Sequence, residues 1–148
     1  MSKPQVLRLE RLESVVQVVS AATTTLSMMK QGIKWLRTSI AGAQTINVPA
    51  ATGKSGQFNI FIGVTASGNK VIKAAAGSIM QGVAIMASTG TSGSFSTASN
   101  SNTITLTGTT AGGVVGTLIE LRDVAPGVWS VKVHACATGV AVTPFSNT

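Results

Sequence analysis

The sequence predicts an all-β protein, an antiparallel sandwich or barrel with a short N-terminal arm, either helical or extended. Three observations carry that prediction. Charged residues are only 10 % of the chain and aromatics 4 %, with no tyrosine, and Gly, Ser and Thr fill the gap; that composition suits short strands joined by tight turns rather than a helical bundle. Period-2 alternation recurs, as in "FNIFIGV", where Phe58, Ile60, Ile62 and Val64 oppose Asn59, Phe61 and Gly63. Beyond residue 30 no helical pattern runs longer than about two turns. At 148 residues the chain is long enough for one domain with its own core.

The first 22 residues read as an arm and residues 23–148 as the β domain. The arm has no glycine and holds Glu10 and Glu13. Leu9, Leu12, Val16 and Val19 are spaced as a short helical stripe, which predicts a helix near 5–19, although Val15, Val16, Val18 and Val19 are β-branched and favour strand. So short a stripe needs a partner to pack against. Val6, Arg8, Leu9, Arg11, Leu12, Val16 and Val19 are therefore the candidate residues for contact with a partner or a neighbouring subunit.

Strands follow in order. "IKWLRTSI" alternates Ile33, Trp35 and Arg37 against Lys34, Leu36 and Thr38, with Trp35 read on the core side. "QTINV" ends at Pro49, and Ala50 to Gly56 reads as a flexible connection with Lys54 at its exposed tip. "KVIKA" follows the turn signal "ASGN", and "SIMQGVAIMA" is an apolar run interrupted by Gly82. Of the 23 residues from Ser88 to Thr110, 14 are Ser or Thr, too polar for a core on both faces, yet Ile104 and Leu106 alternate with threonines as a half-buried strand does. "GTLIELRD" and "GVWSVKVHA" flank the turn signal "DVAPG" and predict a hairpin. Its core face carries Trp129, Val131 and Val133, and its solvent face carries Glu120, Arg122, Ser130, Lys132 and His134, with a cross-strand ion pair.

The segment Thr52-Gly53-Lys54-Ser55-Gly56 looks like the end of a phosphate-binding loop. Such a loop needs a glycine five residues before its Gly-Lys pair, and that position is Val48. It must also open a helix, whereas Gln57 to Val64 is strand by period. Nucleophilic catalysis needs a base such as histidine, and the single histidine, His134, reads as a solvated strand residue. One Cys, one His and four acids cannot supply a protein-made metal site. Paired carboxylates for glycoside chemistry reduce, outside the arm, to Glu120 and Asp123, three residues apart. The residues argue against an enzyme and call for no cofactor.

The formal net charge is +7, and six of the eleven cations (Lys3, Arg8, Arg11, Lys30, Lys34, Arg37) lie in the first 37 residues. No dense basic run or basic–aromatic interleaving is present, which weighs against nucleic acid and leaves an acidic protein as the natural partner. With one cysteine there is no internal disulfide, which fits synthesis in reducing cytoplasm. "MSKPQVLRLERLE" carries charges where a secretory signal has its apolar stretch. No apolar run is long enough to cross a membrane as a helix. Small Gly/Ser/Thr-rich β domains with an apolar arm suit self-assembly.

The segments "TINVPAATGKSGQFNIFIG", "IMQGVAIM", "NTITLTGTTAGGVVGTLIELRDVAPGVWSVKV" and "GVAVTPFSN" carry a family resemblance. Its elements are a Thr-Gly-Thr-Thr-x-Gly-Gly turn (Thr107 to Gly113), a Gly-x-x-Ile-Glu-Leu strand (Gly116 to Leu121), a Gly-x-Trp (Gly127 to Trp129) and a final Thr-Pro-Phe (Thr143 to Phe145). Spanning residues 23–146, it resembles the small virion proteins of tailed bacteriophages, in particular capsid decoration, or cement, proteins. The resemblance implies a homotrimeric β domain on the outside of the head that bridges capsomers of the major capsid protein against internal DNA pressure. The basic first 37 residues have no counterpart in that pattern. An alternative from another class is a head- or tail-fibre module that binds a host-surface glycan or receptor, with Trp35 and Trp129 as a sugar platform; a chain of this length leaves little room for a shaft.

Overall fold

The computed structural model describes residues 16–28 and 32–148, and among them there are strands and no helix. The strands form two sheets packed face to face. The seven-stranded sheet has the order β1-β3-β5-β10-β11-β7-β8, namely Gln17–Val19, Ile33–Thr38, Gln57–Ile62, Leu118–Ala125, Val128–Ala137, Ile79–Ser88 and Gly93–Ser96. The five-stranded sheet has the order β12-β9-β6-β4-β2, namely Phe145–Ser146, Thr103–Leu106, Lys70–Ala74, Gln44–Val48 and Thr23–Thr25.

The sheets are mixed, not antiparallel as the sequence predicted, and the reason lies in the connections. From β1 to β7 each strand lies in the sheet opposite its predecessor. Strands two apart in sequence therefore share a sheet and run the same way: β1–β3, β3–β5, β2–β4 and β4–β6 are all parallel. Such arches between layers do not leave the signature of a tight hairpin turn. The one long hairpin, β10–β11, inserts between β5 and β7, pairing antiparallel with β5 and parallel with β7.

One apolar core fills the space between the layers. Leu36, Phe58, Ile60, Ile119, Leu121, Trp129 and Val131 come from the larger sheet, and Ile46, Ile72, Ile104 and Leu106 from the smaller. Phe58 and Trp129 are fully buried and pack with ring centroids 5.7 Å apart, tilted by 44°. Burying a side chain such as Phe58 contributes about 2–3 kcal/mol. The Trp129 indole N–H donates to the Pro49 carbonyl at 3.0 Å, so the ring's one polar atom is satisfied inside the core.

At the N-terminal end the helix expected near 5–19 gives way to strand at Gln17–Val19, where the β-branched run pairs with β3; residues 5–15 lie outside the described residues. Val19 joins the core and Val16 is exposed. In β3 the inward residues are Leu36 and Thr38, so Trp35 lies on the outer face, half-buried, rather than on the core side. Alternation defines two faces but does not choose between them, and Ile33 is half exposed. The strand predicted after Ser55 is β5, with Phe58, Ile60 and Ile62 inward.

Candidate binding face

The two ends of the sandwich are locked by two buried charged residues. Asp123 is fully buried near the end of β10, where the pairing with β11 slips between Asp123 and Ala125. Its carboxylate accepts the backbone N–H of Thr52 (2.9 Å), Gly53 (2.6 Å) and Lys54 (3.2 Å) and the Thr52 hydroxyl (2.8 Å). Gly53 has φ +80, which turns successive N–H groups toward one point. Burial by itself would raise the Asp123 pKa, but the hydrogen bonds from Gly53, Thr52 and Lys54 outweigh it and hold the carboxyl below the ordinary value. The segment that resembles a phosphate loop is thus an anion cradle whose anion is the chain's own Asp123. It is a pinned loop, not the flexible connection expected from its glycines, while Lys54 is exposed as predicted.

At the other end Lys70 is 2 % exposed. Its ammonium donates to the carbonyls of Ile40 and Gly42 and to Gln44 Oε1 (2.9 Å). Gln44 Nε2 in turn donates to Val19 O (3.2 Å) and Ala21 O (3.0 Å), so the pair fastens the β1–β2 crossing to the smaller sheet. Burial lowers the Lys70 pKa from the usual lysine value. Both charged residues have their hydrogen bonds satisfied internally and present no reactive group to solvent.

The groups that catalysis would need lie apart. His134 pairs with Leu118 and Asp123 with Trp129, five residues or roughly 17 Å along the strand. Glu120 faces outward and Asp123 inward, so they do not share a site. Among the described residues no group of three or more His, Cys, Asp or Glu could hold a metal ion, and no helix is long and apolar enough to cross a membrane.

What the fold does assemble is the outer face of the seven-stranded sheet. Register sets Trp35, Asn59, Glu120, Lys132 and Val83 in one row. The adjoining rows run Ile33, Gln57, Arg122, Ser130, Gln81 and Arg37, Phe61, Leu118, His134, Ile85. Lys132, His134 and Arg122 are exposed and Glu120 half-buried on the face the hairpin pattern predicted; Glu120 lies directly opposite Lys132 in register without closing the expected ion pair. Gln57, Glu120, Arg122, Val124, Ser130 and Lys132 line a concavity of about 340 Å³.

Of the arm residues singled out for contact, Val6, Arg8, Leu9, Arg11 and Leu12 lie outside the described residues. Val16 is 49 % exposed, whereas Val19 is 3 % exposed and packs in the chain's own core. The composite face was not legible as a unit in the sequence, because its rows join strands up to about 100 residues apart. No family model, curated protein or solved structure compared with the chain matches it.

Proposed function

We propose that this chain is a structural virion protein that decorates and stabilises the outside of a bacteriophage head, bridging capsomers of the major capsid protein as a homotrimer. It would be made in the host bacterial cytoplasm and reside on the capsid exterior. The observation that carries the reading is the contrast between a sandwich whose described buried polar side chains are all hydrogen-bonded and one outward sheet face that combines cations with apolar side chains. That is what a bracing protein needs: a stiff body and a surface made for another protein. The motif resemblance over residues 23–146 supplies the virion context.

The four sheet edges point the same way. Among the described residues β1, β2, β8 and β12 are 3, 3, 4 and 2 residues long. Edges that short discourage strand-to-strand addition and favour contact through faces. The test is sedimentation of purified protein with expanded, undecorated heads of the same virus. Saturable binding in a fixed ratio to capsomers is expected; protein left in the supernatant at every concentration overturns the reading.

One observation favours a second reading, a fibre module that binds a host-surface glycan. Trp35 lies on the outer face, half-buried, in the row of Asn59 and Glu120. Saccharide binding lost in Trp35→Ala, with no binding to heads, would select it.

A further inference from the structure

We infer that the outer face of the seven-stranded sheet is the docking face, and that it takes an acidic, partly apolar protein surface with one partner carboxylate seated in the concavity between Arg122 and Lys132. The inference rests on the head-binding reading and assigns the contact within it.

The two sheet faces differ in a way that decides the question. Val18, Ile33, Val83, Ile85 and Val124 are large apolar side chains between 46 % and 56 % exposed, and all belong to strands of the seven-stranded sheet. Among the described residues no exposed large apolar side chain falls on a strand of the five-stranded sheet. Its outward rows are Thr23, Thr45, Val71 and Thr105, and Thr25, Asn47, Lys73 and Thr103, the last of them buried. Its single outward charge in those rows is Lys73.

Charge makes the same distinction. The seven-stranded face carries Arg37, Arg122 and Lys132 against one acid, Glu120. The only other acid among the described residues is Asp123, buried and fully engaged. Among the described residues two cations and one carboxylate line the concavity, which leaves one positive charge unbalanced there. A second carboxylate, contributed by a partner, balances it, and Arg122 can hold such a group with two parallel N–H donors. Gln57 and Ser130 supply further polar contacts in the same wall. The apolar residues on either side, Ile33 toward one edge and Val83 and Ile85 toward the other, supply area that burial converts into affinity. An acidic partner surface also accelerates encounter with a protein of net charge +7.

The experiment measures head binding by four full-length proteins over a salt series: wild type, Arg122→Glu/Lys132→Glu, Arg122→Gln/Lys132→Gln, and Lys54→Glu/Lys73→Glu. The last makes the same charge change at two residues that neither line the concavity nor belong to the rows of that face. Thermal unfolding of each confirms the fold, and the glutamine pair removes charge without adding like-charge repulsion if the glutamate pair fails to fold. Expected are wild-type binding that weakens with salt, at least a tenfold loss for the glutamate pair, a smaller loss for the glutamine pair, and a change within threefold for Lys54→Glu/Lys73→Glu. Undiminished binding by the folded charge variants, or an equal loss in Lys54→Glu/Lys73→Glu, overturns the assignment of the face while leaving head binding intact. Absence of wild-type binding overturns both.

Discussion

The carboxylate of Asp123 accepts both the backbone N–H and the side-chain hydroxyl of Thr52, at 2.9 and 2.8 Å, across 71 residues of sequence. Around this contact one end of the sandwich closes. Asp123 N–H donates to Gly56 O, Ser55 N–H to Asp123 O and Gly127 N–H to Ala51 O, and Ala51 N–H donates to the Ser78 hydroxyl at 3.1 Å. Replacing Asp123 with alanine would leave the N–H groups of Thr52, Gly53 and Lys54 without their acceptor. The expected loss is about 3 kcal/mol or more by urea unfolding. Thr52→Ala removes one hydroxyl and keeps the backbone donors, so its loss should be about 1 kcal/mol.

The same contact sets an acid limit. The folded-state pKa of Asp123 lies below its ordinary value of 3.8. The unfolded chain therefore binds the proton more tightly, and stability falls as pH drops. The contribution is complete above the unfolded pKa and is lost as pH falls through the folded one. Wild type should show this acid-side loss in urea midpoints. Asp123→Asn should be less stable at neutral pH and lack that part of the slope; an identical slope in both would contradict the assignment.

Lys70 is a buried cation held by three oxygens and no carboxylate. Lys70→Met removes the donor and leaves those acceptors to be satisfied otherwise, with an expected loss of about 1–3 kcal/mol. The loosening should be local. The amide of Thr45, which donates to Ala22 O across the β1–β2 crossing, should exchange hydrogen faster, while the β10–β11 hairpin amides should not change relative to global stability.

Gly82 tests packing between β7 and β11. A Cβ built there would stand 1.8 Å from the Val131 carbonyl oxygen. Gly82 N–H donates to the Thr97 hydroxyl at 3.0 Å, and Thr97 N–H donates to Gly82 O, so the backbone at Gly82 is held on its other side as well. Gly82→Ala must displace backbone, and a loss of about 3 kcal/mol is expected by thermal or urea unfolding.

Much of the sandwich was legible where period and turn chemistry agreed. Phe58, Ile60 and Ile62 show one buried face, and Val128 to Val133 forms its hairpin across the Pro126-Gly127 turn as the sequence implies. Direction of pairing was not legible, because a strand that arches to the opposite sheet looks locally like one that turns back. Trp35 was placed on the wrong face because alternation fixes the two sides of β3 without saying which meets the core. Neither Asp123 nor Lys70 was singled out in the sequence as a buried charge. For Lys70 a signal existed: it shares its period with Ile72 and Ala74, an inward face. For Asp123 the signal was divided between a Thr-Gly-Lys donor loop and an acid 71 residues later, and only the fold joins them.

Whether the protein braces the outside of a phage head is decided by image reconstruction of expanded heads with and without the purified chain. Additional sandwich-sized density is expected on the outer surface at local threefold positions between capsomers, with the seven-stranded face against the capsid. Identical reconstructions at saturating protein, or added density confined to a fibre or tail, would contradict that role.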